Sequence, residues 1–438
     1  MSAKTNHTST FIKSLPKNIF AGFVVSLIAL PLGLGLALAS EAPPISGIIA
    51  SVTGGIVVAL LGGSKVTITG PGNGLVIVLL GAITVLGEGD LYQGYLFTLA
   101  AIVFSGVLML LLGFLKMGRL ADFFPASAIQ GMLAAIGIGI LAKQFHIMVG
   151  HNNSRGTIIE LLLTIPNDLL DLVNKADLNM LFASGIGIVS LLIMVFYSKI
   201  RNKFFQLIPA PMWILILSVG LSYFYTLLGK PYPIGVDYLV SIPDNVLSSL
   251  AFPDFTKMLQ KEFILAVFAI TLIASIESLL SIKAVDKLDP LNRRSNVNKD
   301  LKALGLATTI SGLLGGLNVV TVIARSSVNV HNGATNRSSN FFHALFLVGF
   351  VLIFQEQLKR IPLAALAAIL VYTGYKLADP ESFRKIARIG NEQIVIFLTT
   401  LITTLFTNLI TGIGVGILVT IIIHMILNVS LHYSNLVY

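Results

Sequence analysis

Runs of about twenty predominantly apolar residues recur from one end of this chain to the other, and each is long enough to cross a hydrocarbon layer as a helix. Only 11% of the 438 residues are charged and 55% are hydrophobic, whereas a soluble domain carries about 25% charged residues. The reading is an all-α polytopic membrane protein, with no soluble domain long enough to compete. There is no cysteine, so disulfides and thiolate metal sites are excluded. The net charge of +9 does not call for nucleic acid, because excess Lys and Arg in such a chain collects in cytoplasmic loops. The first fifteen residues are polar and carry no signal-peptide pattern.

Hydropathy divides the chain into about fourteen segments: 18–39, 45–62, 72–88, 93–115, 124–147, 179–198, 207–228, 262–285, 300–317, 325–337, 340–356, 362–375, 392–409 and 411–431. The third and tenth are short and open on Gly or small polar residues. The stretch 150–178, with Ile158 to Leu163, has the mixed polarity of a surface helix rather than a span. A Pro-punctuated linker follows the seventh segment. With the amino terminus inside, the inner loops hold Lys65, Lys116, Arg119, Lys199, Arg201, Lys203, Arg293, Arg294, Arg384 and Arg388, among others. The opposite ends hold Glu88 and Asp90, with Lys359 and Arg360 as exceptions. That bias fits an even number of spans and both termini in the cytoplasm.

The chain also resembles itself. Ser26–Gly33 matches Thr271–Ser278, Val66–Gly70 matches Val320–Ala324, and Phe124–Ile129 matches Ile361–Leu366, at offsets of 245, 254 and 237 residues. Three matches in register argue for two homologous halves. Seven spans per half is an odd number, so the halves lie upside down relative to each other in a 7+7 inverted repeat. In such a fold the binding site lies where the two interrupted segments meet, near the midplane.

Those interruptions are Val66–Thr69 and Val319–Ile323, both rich in β-branched residues and read as short strands that pair with each other. A half-helix then starts at Pro71-Gly72-Asn73-Gly74 and another at Ala324-Arg325-Ser326-Ser327. Helix starts present free N–H groups and a positive dipole end, which suits an anion. Gly72 and Gly74 admit a ligand close to the backbone, and Asn73, Ser326 and Ser327 add side-chain donors. Arg325 is expensive at membrane depth and supplies charge to an anion site, or else pairs with Glu277 or with exposed carbonyls. Glu277 lies in the apolar eighth segment on the same face as Ser281, a placement suited to a proton carrier or sodium ligand. Lys143, Gln144 and His146 close the fifth segment and read as interfacial. His331 and His343 lack ligand-spaced partners, so no resident metal is expected. Asn329, Asn332 and Ser278 are placed to hydrogen-bond between helices. No nucleophile elbow, phosphate loop or metalloprotease motif is present, so the chain does not read as an enzyme.

Ala29-Leu30-Pro31-Leu32-Gly33-Leu34, Ile68-Thr69-Gly70-Pro71-Gly72, Ile276 to Leu280, Gly315-Gly316, Ile323 to Val330 and Ile361 to Leu366 together resemble the SulP (sulfate permease) family of inorganic anion transporters, whose mammalian relatives include pendrin and prestin. The resemblance covers the whole chain. It implies a first repeat over 1–230, a linker at 231–260 and a second repeat over 261–438, with a core of spans 1–4 and 8–11 and a gate of spans 5–7 and 12–14. It places the anion against Gly72 and Asn73 at one half-helix start and Ala324, Arg325 and Ser326 at the other. Glu277 falls at the family's acidic position in the eighth span, tied to proton or sodium coupling, with Ser281 near it. The family often has glutamine after the first-span proline; here Leu32 stands in the site instead. Many members continue into a STAS domain, whereas this chain stops at Tyr438, so dimerisation through that domain is not carried over and a homodimer through the membrane domain stays open.

The reading is a secondary transporter of sulfate or bicarbonate in the cell membrane, coupled to protons or sodium, with elevator-type alternating access and no cofactor. The rivals are a nucleobase permease of the related fold, which would need more carboxylates to hold a base, and a passive anion channel or exchanger.

Overall fold

The computed structural model describes residues 2–434 except 120–123, 152–155, 175–176, 201, 203–204, 206 and 244–249. Arg201, Lys203 and Tyr438, used in the sequence reading, lie outside the described residues. The fold is mostly helical. Its helices are α1 (Ser2–Ala39), α2 (Pro44–Leu61), α3 (Val76–Gly87), α4 (Leu91–Phe114), α5 (Ala126–Met148), α6 (Ile158–Asn174), α7 (Leu178–Phe196) and α8 (Ala210–Leu227). After the linker come α9 (Lys261–Asp286), α10 (Val297–Leu313), α11 (Ile323–His331), α12 (Ser338–Ile353), α13 (Leu363–Leu377), α14 (Pro380–Ile389), α15 (Asn391–Phe406) and α16 (Leu409–Ser434). A 3-10 turn, Asn73–Leu75, leads into α3.

Each expected segment overlaps a helix, and the expected surface helix appears as α6. Eight of the described helices (α1, α2, α4, α5, α7, α8, α9 and α16) are long and apolar enough to cross a membrane. The sequence reading missed α14. Helix starts fall where capping chemistry allows: Asp90 accepts from the N–H groups of Tyr92 and Gln93, Asp177 from Met180, and Asn296 from Lys299.

The helices pack in two groups. In one, α4 lies on α10 and α9, α1 on α2 and α12, and α2 on α10 and α12. In the other, α5 lies on α13 and α15, α13 on α7, and α16 on α15. Small residues set the closest approaches, as expected where lipid gives no hydrophobic drive between helices. Gly106 of α4 faces Gly305 of α10, and a Cβ on either would lie 2.7 Å from the other's carbonyl oxygen. Gly137 of α5 and Gly374 of α13 repeat the device at 2.5 and 2.6 Å. Large apolar residues fill the remainder, with Leu99, Ile102, Ile270, Ile273, Leu301 and Leu304 all fully buried.

The two strands form and pair with each other, but each is only two residues long, shorter than the expected 66–69 and 319–323. β1 (Thr69–Gly70) pairs antiparallel with β2 (Val320–Thr321), Thr69 opposite Thr321 and Gly70 opposite Val320. Ile323 belongs to α11 rather than to the strand, and α11 ends at His331, short of the expected 337, because the chain turns through Gly333 at φ 84°. At one end of the bundle, Lys65, Arg293 and Arg337 of the connecting segments gather with Lys299 of the first turn of α10. Burial first, then those neighbouring cations, holds the Lys65 ammonium below its ordinary pKa.

Candidate functional site

The strand pair stands at the centre of the site because polar side chains of the surrounding helices satisfy its backbone, a condition for any extended segment away from water. The Ile68 N–H donates to Ser326 Oγ (2.8 Å), and that hydroxyl donates to Val322 O (2.7 Å). Asn329 Nδ2 donates to Val66 O (2.8 Å) and to Ser339 Oγ (2.9 Å). The Thr69 N–H donates to Asn340 Oδ1 (3.3 Å), and Asn340 Nδ2 donates to Thr69 Oγ1 (3.1 Å). Around β2, the Thr321 N–H donates to Ser278 Oγ (3.3 Å) and the Val319 N–H to Thr308 Oγ1 (3.1 Å). Ser326 is thus committed to holding the strands together. Asn329 and Ser278 bridge between elements as expected, whereas Asn332, just past α11, donates back to Val328 O of that helix.

The antiparallel pairing means that the chain leaves β1 for α3 and β2 for α11 at opposite ends of the ribbon, so both short helices start from the one strand pair. The first N–H groups of a helix have no partner within it, and here Ile323 is 44% exposed, with Ala324 exposed beside it. Gly72 is buried, and Asn73 is half-buried as the first residue of the 3-10 turn. Leu32 of α1 is half-buried and packs against the main apolar cores.

Arg325, at the third position of α11, is 1% exposed. Its Nη1 donates to Ser51 Oγ on α2 at 3.4 Å, a long bond, and its Nε has no hydrogen-bond partner among the described residues. Gly70 makes room for it, since a Cβ there would lie 2.5 Å from Nη1. Glu277 of α9 takes a different place. Its Oε1 accepts from the Gly74 N–H at 3.5 Å, and its carboxylate lies on the glycines of the third segment: a Cβ on Gly72 or Gly74 would be 2.7 Å from Oε2. That Oε2 is buried and also lacks a partner among the described residues. No ion pair joins Arg325 to Glu277 among the described residues. The pairing considered from the sequence fails because the guanidinium turns toward α2 while the carboxylate lies over the start of α3. Ser281 is buried one turn beyond Glu277.

The residues closing the fifth segment, Lys143, Gln144 and His146, are buried under neighbouring elements. The turn after α1 supplies Glu41 to Lys143, and α6 covers His146, whose Nδ1 meets Asp168 and whose Nε2 meets Leu161 O at 2.9 Å. Sequence reasoning also missed Ser51, Thr308 and Asn340. Their one signal was a polar residue inside an otherwise apolar helix. No group of three or more His, Cys, Asp or Glu residues suited to a metal occurs among the described residues.

These features can be set beside known proteins. YvdB of Bacillus subtilis (strain 168), provisionally named a sulfate transporter, is 27% identical over 390 residues, which cover 89% of this chain and 69% of YvdB. The bicarbonate transporter BicA of Picosynechococcus sp. (strain ATCC 27264 / PCC 7002 / PR-6) is 25% identical over 399 residues, covering 89% of this chain and 67% of BicA. Among solved structures, the transmembrane domain of a cyanobacterial BicA superposes with a TM-score of 0.76 at 24% identity, covering 91% of this chain and 97% of that domain, a likeness of fold. The profile of the sulfate permease family matches residues 15–400, nearly the whole of this multi-pass chain, which therefore belongs to that family.

Proposed function

We propose that the protein is a secondary active transporter of a small inorganic anion, sulfate or bicarbonate. The observation that carries this reading is Arg325: a guanidinium buried at the start of α11 against Gly70 of β1, with one long hydrogen bond and, among the described residues, no acid paired with it. An uncompensated buried charge costs several kcal/mol. An anion between the two helix starts compensates it, with backbone N–H groups of Asn73 and Ala324 replacing the anion's water. The transporter names carried by relatives agree with this reading.

In this reading Glu277 binds the coupling ion, a proton or sodium, through its unpartnered oxygen, with Ser281 on the same helix face. The short helices α3 and α11 are half-helices of a 7+7 inverted repeat, the first repeat running over 1–230, the linker over 231–260 and the second repeat over 261–438. Packing supports the repeat, because contacts come in mates. α4 on α10 answers α12 on α2, α1 on α12 answers α9 on α4, and α5 on α15 answers α13 on α7. The group holding α1–α4 and α9–α12 is the core, and the group of α5, α7, α8, α13, α15 and α16 is the gate. Elevator movement of the core past the gate exposes the anion to each side in turn. Both termini face the cytoplasm of a cell membrane, and a homodimer through membrane-embedded helices is compatible with this arrangement.

The test is uptake of labelled sulfate and bicarbonate into proteoliposomes under imposed proton or sodium gradients. Accumulation above the equilibrium level is expected for one of the anions. Uptake that never exceeds equilibrium would make the protein a passive path, and the absence of uptake for both would overturn the reading.

A further inference from the structure

Where α1 and α5 finish, an ion pair joins one helix group to the other. After α1 stops at Ala39, Glu41 takes a left-handed backbone conformation, φ 60°, which non-glycine residues seldom adopt. Its Oε1 lies 2.6 Å from Nζ of Lys143, which is 7% exposed on α5. Beside the pair is a cavity of about 130 Å3 walled by Leu38 of α1, Glu41 of the turn after it, Gln144 of α5 and Leu366 of α13. Gln144 Nε2 is buried there without a hydrogen-bond partner among the described residues.

Nearby contacts between the groups are of another kind. Gly35 of α1 lies under Leu370 of α13, and Gly139 of α5 lies against Ile77 of α3, where added Cβ atoms would meet side-chain carbons at 3.2 and 3.0 Å. Apolar contacts of this sort are non-directional, so they slide at small cost. A buried ammonium bound to one carboxylate does not slide. It must break its bond and find another partner, or leave the protein interior.

We propose that Glu41–Lys143 is a latch that holds the core against the gate in the conformation described here and opens once per transport cycle. The latch fixes which side of the membrane the anion site faces at rest, and it rests on the reading of the two helix groups as bodies that move past each other.

The chain has no cysteine, so Leu38→Cys introduces a single reporter beside the cavity. Its reaction with a membrane-impermeant maleimide is followed in proteoliposomes, with sulfate and bicarbonate uptake measured on the same vesicles. Glu41→Gln and Lys143→Met each open the latch, and labelling is expected to quicken about fivefold to tenfold. The neutral double variant, Glu41→Gln with Lys143→Met, leaves no buried charge unpaired and is expected to label as fast as either single variant. A double variant that labels at the parental rate would overturn the proposal, because the single effects would then come from a stranded charge. Single variants that label at the parental rate while transporting would overturn it as well. Failure of the transport reading is distinguishable, since the Leu38→Cys parent would then take up neither anion.

Discussion

Gly74→Ala tests whether the Glu277 carboxylate governs the start of the third segment. A Cβ at Gly74 would lie 2.7 Å from Oε2, 3.2 Å from Cδ and 3.6 Å from Oε1 of Glu277. Ordinary contact between such atoms needs about 3.5 Å or a little less, so the carboxylate retreats by roughly 0.7 Å. The 3.5 Å bond from the Gly74 N–H is then lost. One such bond is worth about 1 kcal/mol, and the strain adds little because the end of a flexible side chain yields first. The expected result is about a fivefold shift in the concentration of coupling ion giving half-maximal uptake. Read as thermal stability, the same substitution is expected to cost about 1 kcal/mol in the parent and nothing in a Glu277→Ala background, so a double-mutant cycle returns the whole effect as coupling. An equal effect with and without Glu277 would refute the reasoning, since the alanine would then act through the helix start itself. Gly72→Ala is the harsher control: its Cβ would also lie 2.6 Å from Cγ2 of fully buried Val320, and a cost of about 2–3 kcal/mol in thermal stability follows.

Arg325→Met removes an uncompensated buried charge, so the folded protein should be as stable as the parent or more stable by about 1–4 kcal/mol, while anion uptake is lost; a thermal melt and an uptake assay on one preparation read both. Glu277→Gln should flatten the dependence of uptake on whichever ion drives it, and full retention of that dependence would remove Glu277 from the coupling role. Ser326→Ala strands the buried Ile68 N–H and should lower stability by about 1–3 kcal/mol in a denaturation series, more than a surface serine would.

The strand pair was legible because its signal is local. β-branched runs ahead of Pro71-Gly72 and ahead of Ala324-Arg325 announce extended backbone before a helix start, and matched spacing announces that the two meet. Arg325 was legible as an anomaly of charge, but its direction was not, because that depends on Ser51 and Gly70, more than 250 positions earlier. The partners of Lys143 and His146 were not legible, because Glu41 and Asp168 come from other elements. α14 escaped notice because Arg384, Lys385 and Arg388 break the apolar run within ten residues, and its one buried apolar side chain, Ile386, packs with Ala134 of α5 and Phe397 of α15.

The two-residue ribbon has a consequence for how the protein is made. Thr69 pairs with Thr321, so the first strand is synthesised about 250 residues before its mate. At roughly 5–20 residues per second, it waits for roughly 12–50 s with its hydrogen-bonding groups unsatisfied by the partner strand. Ser326, Asn329 and Asn340, which also hold that first strand, arrive later still. The early part of the chain therefore cannot mature alone inside the bilayer: whatever shelters residues 66–70 in the interval, lipid headgroups, water or the insertion machinery, is part of this protein's biogenesis.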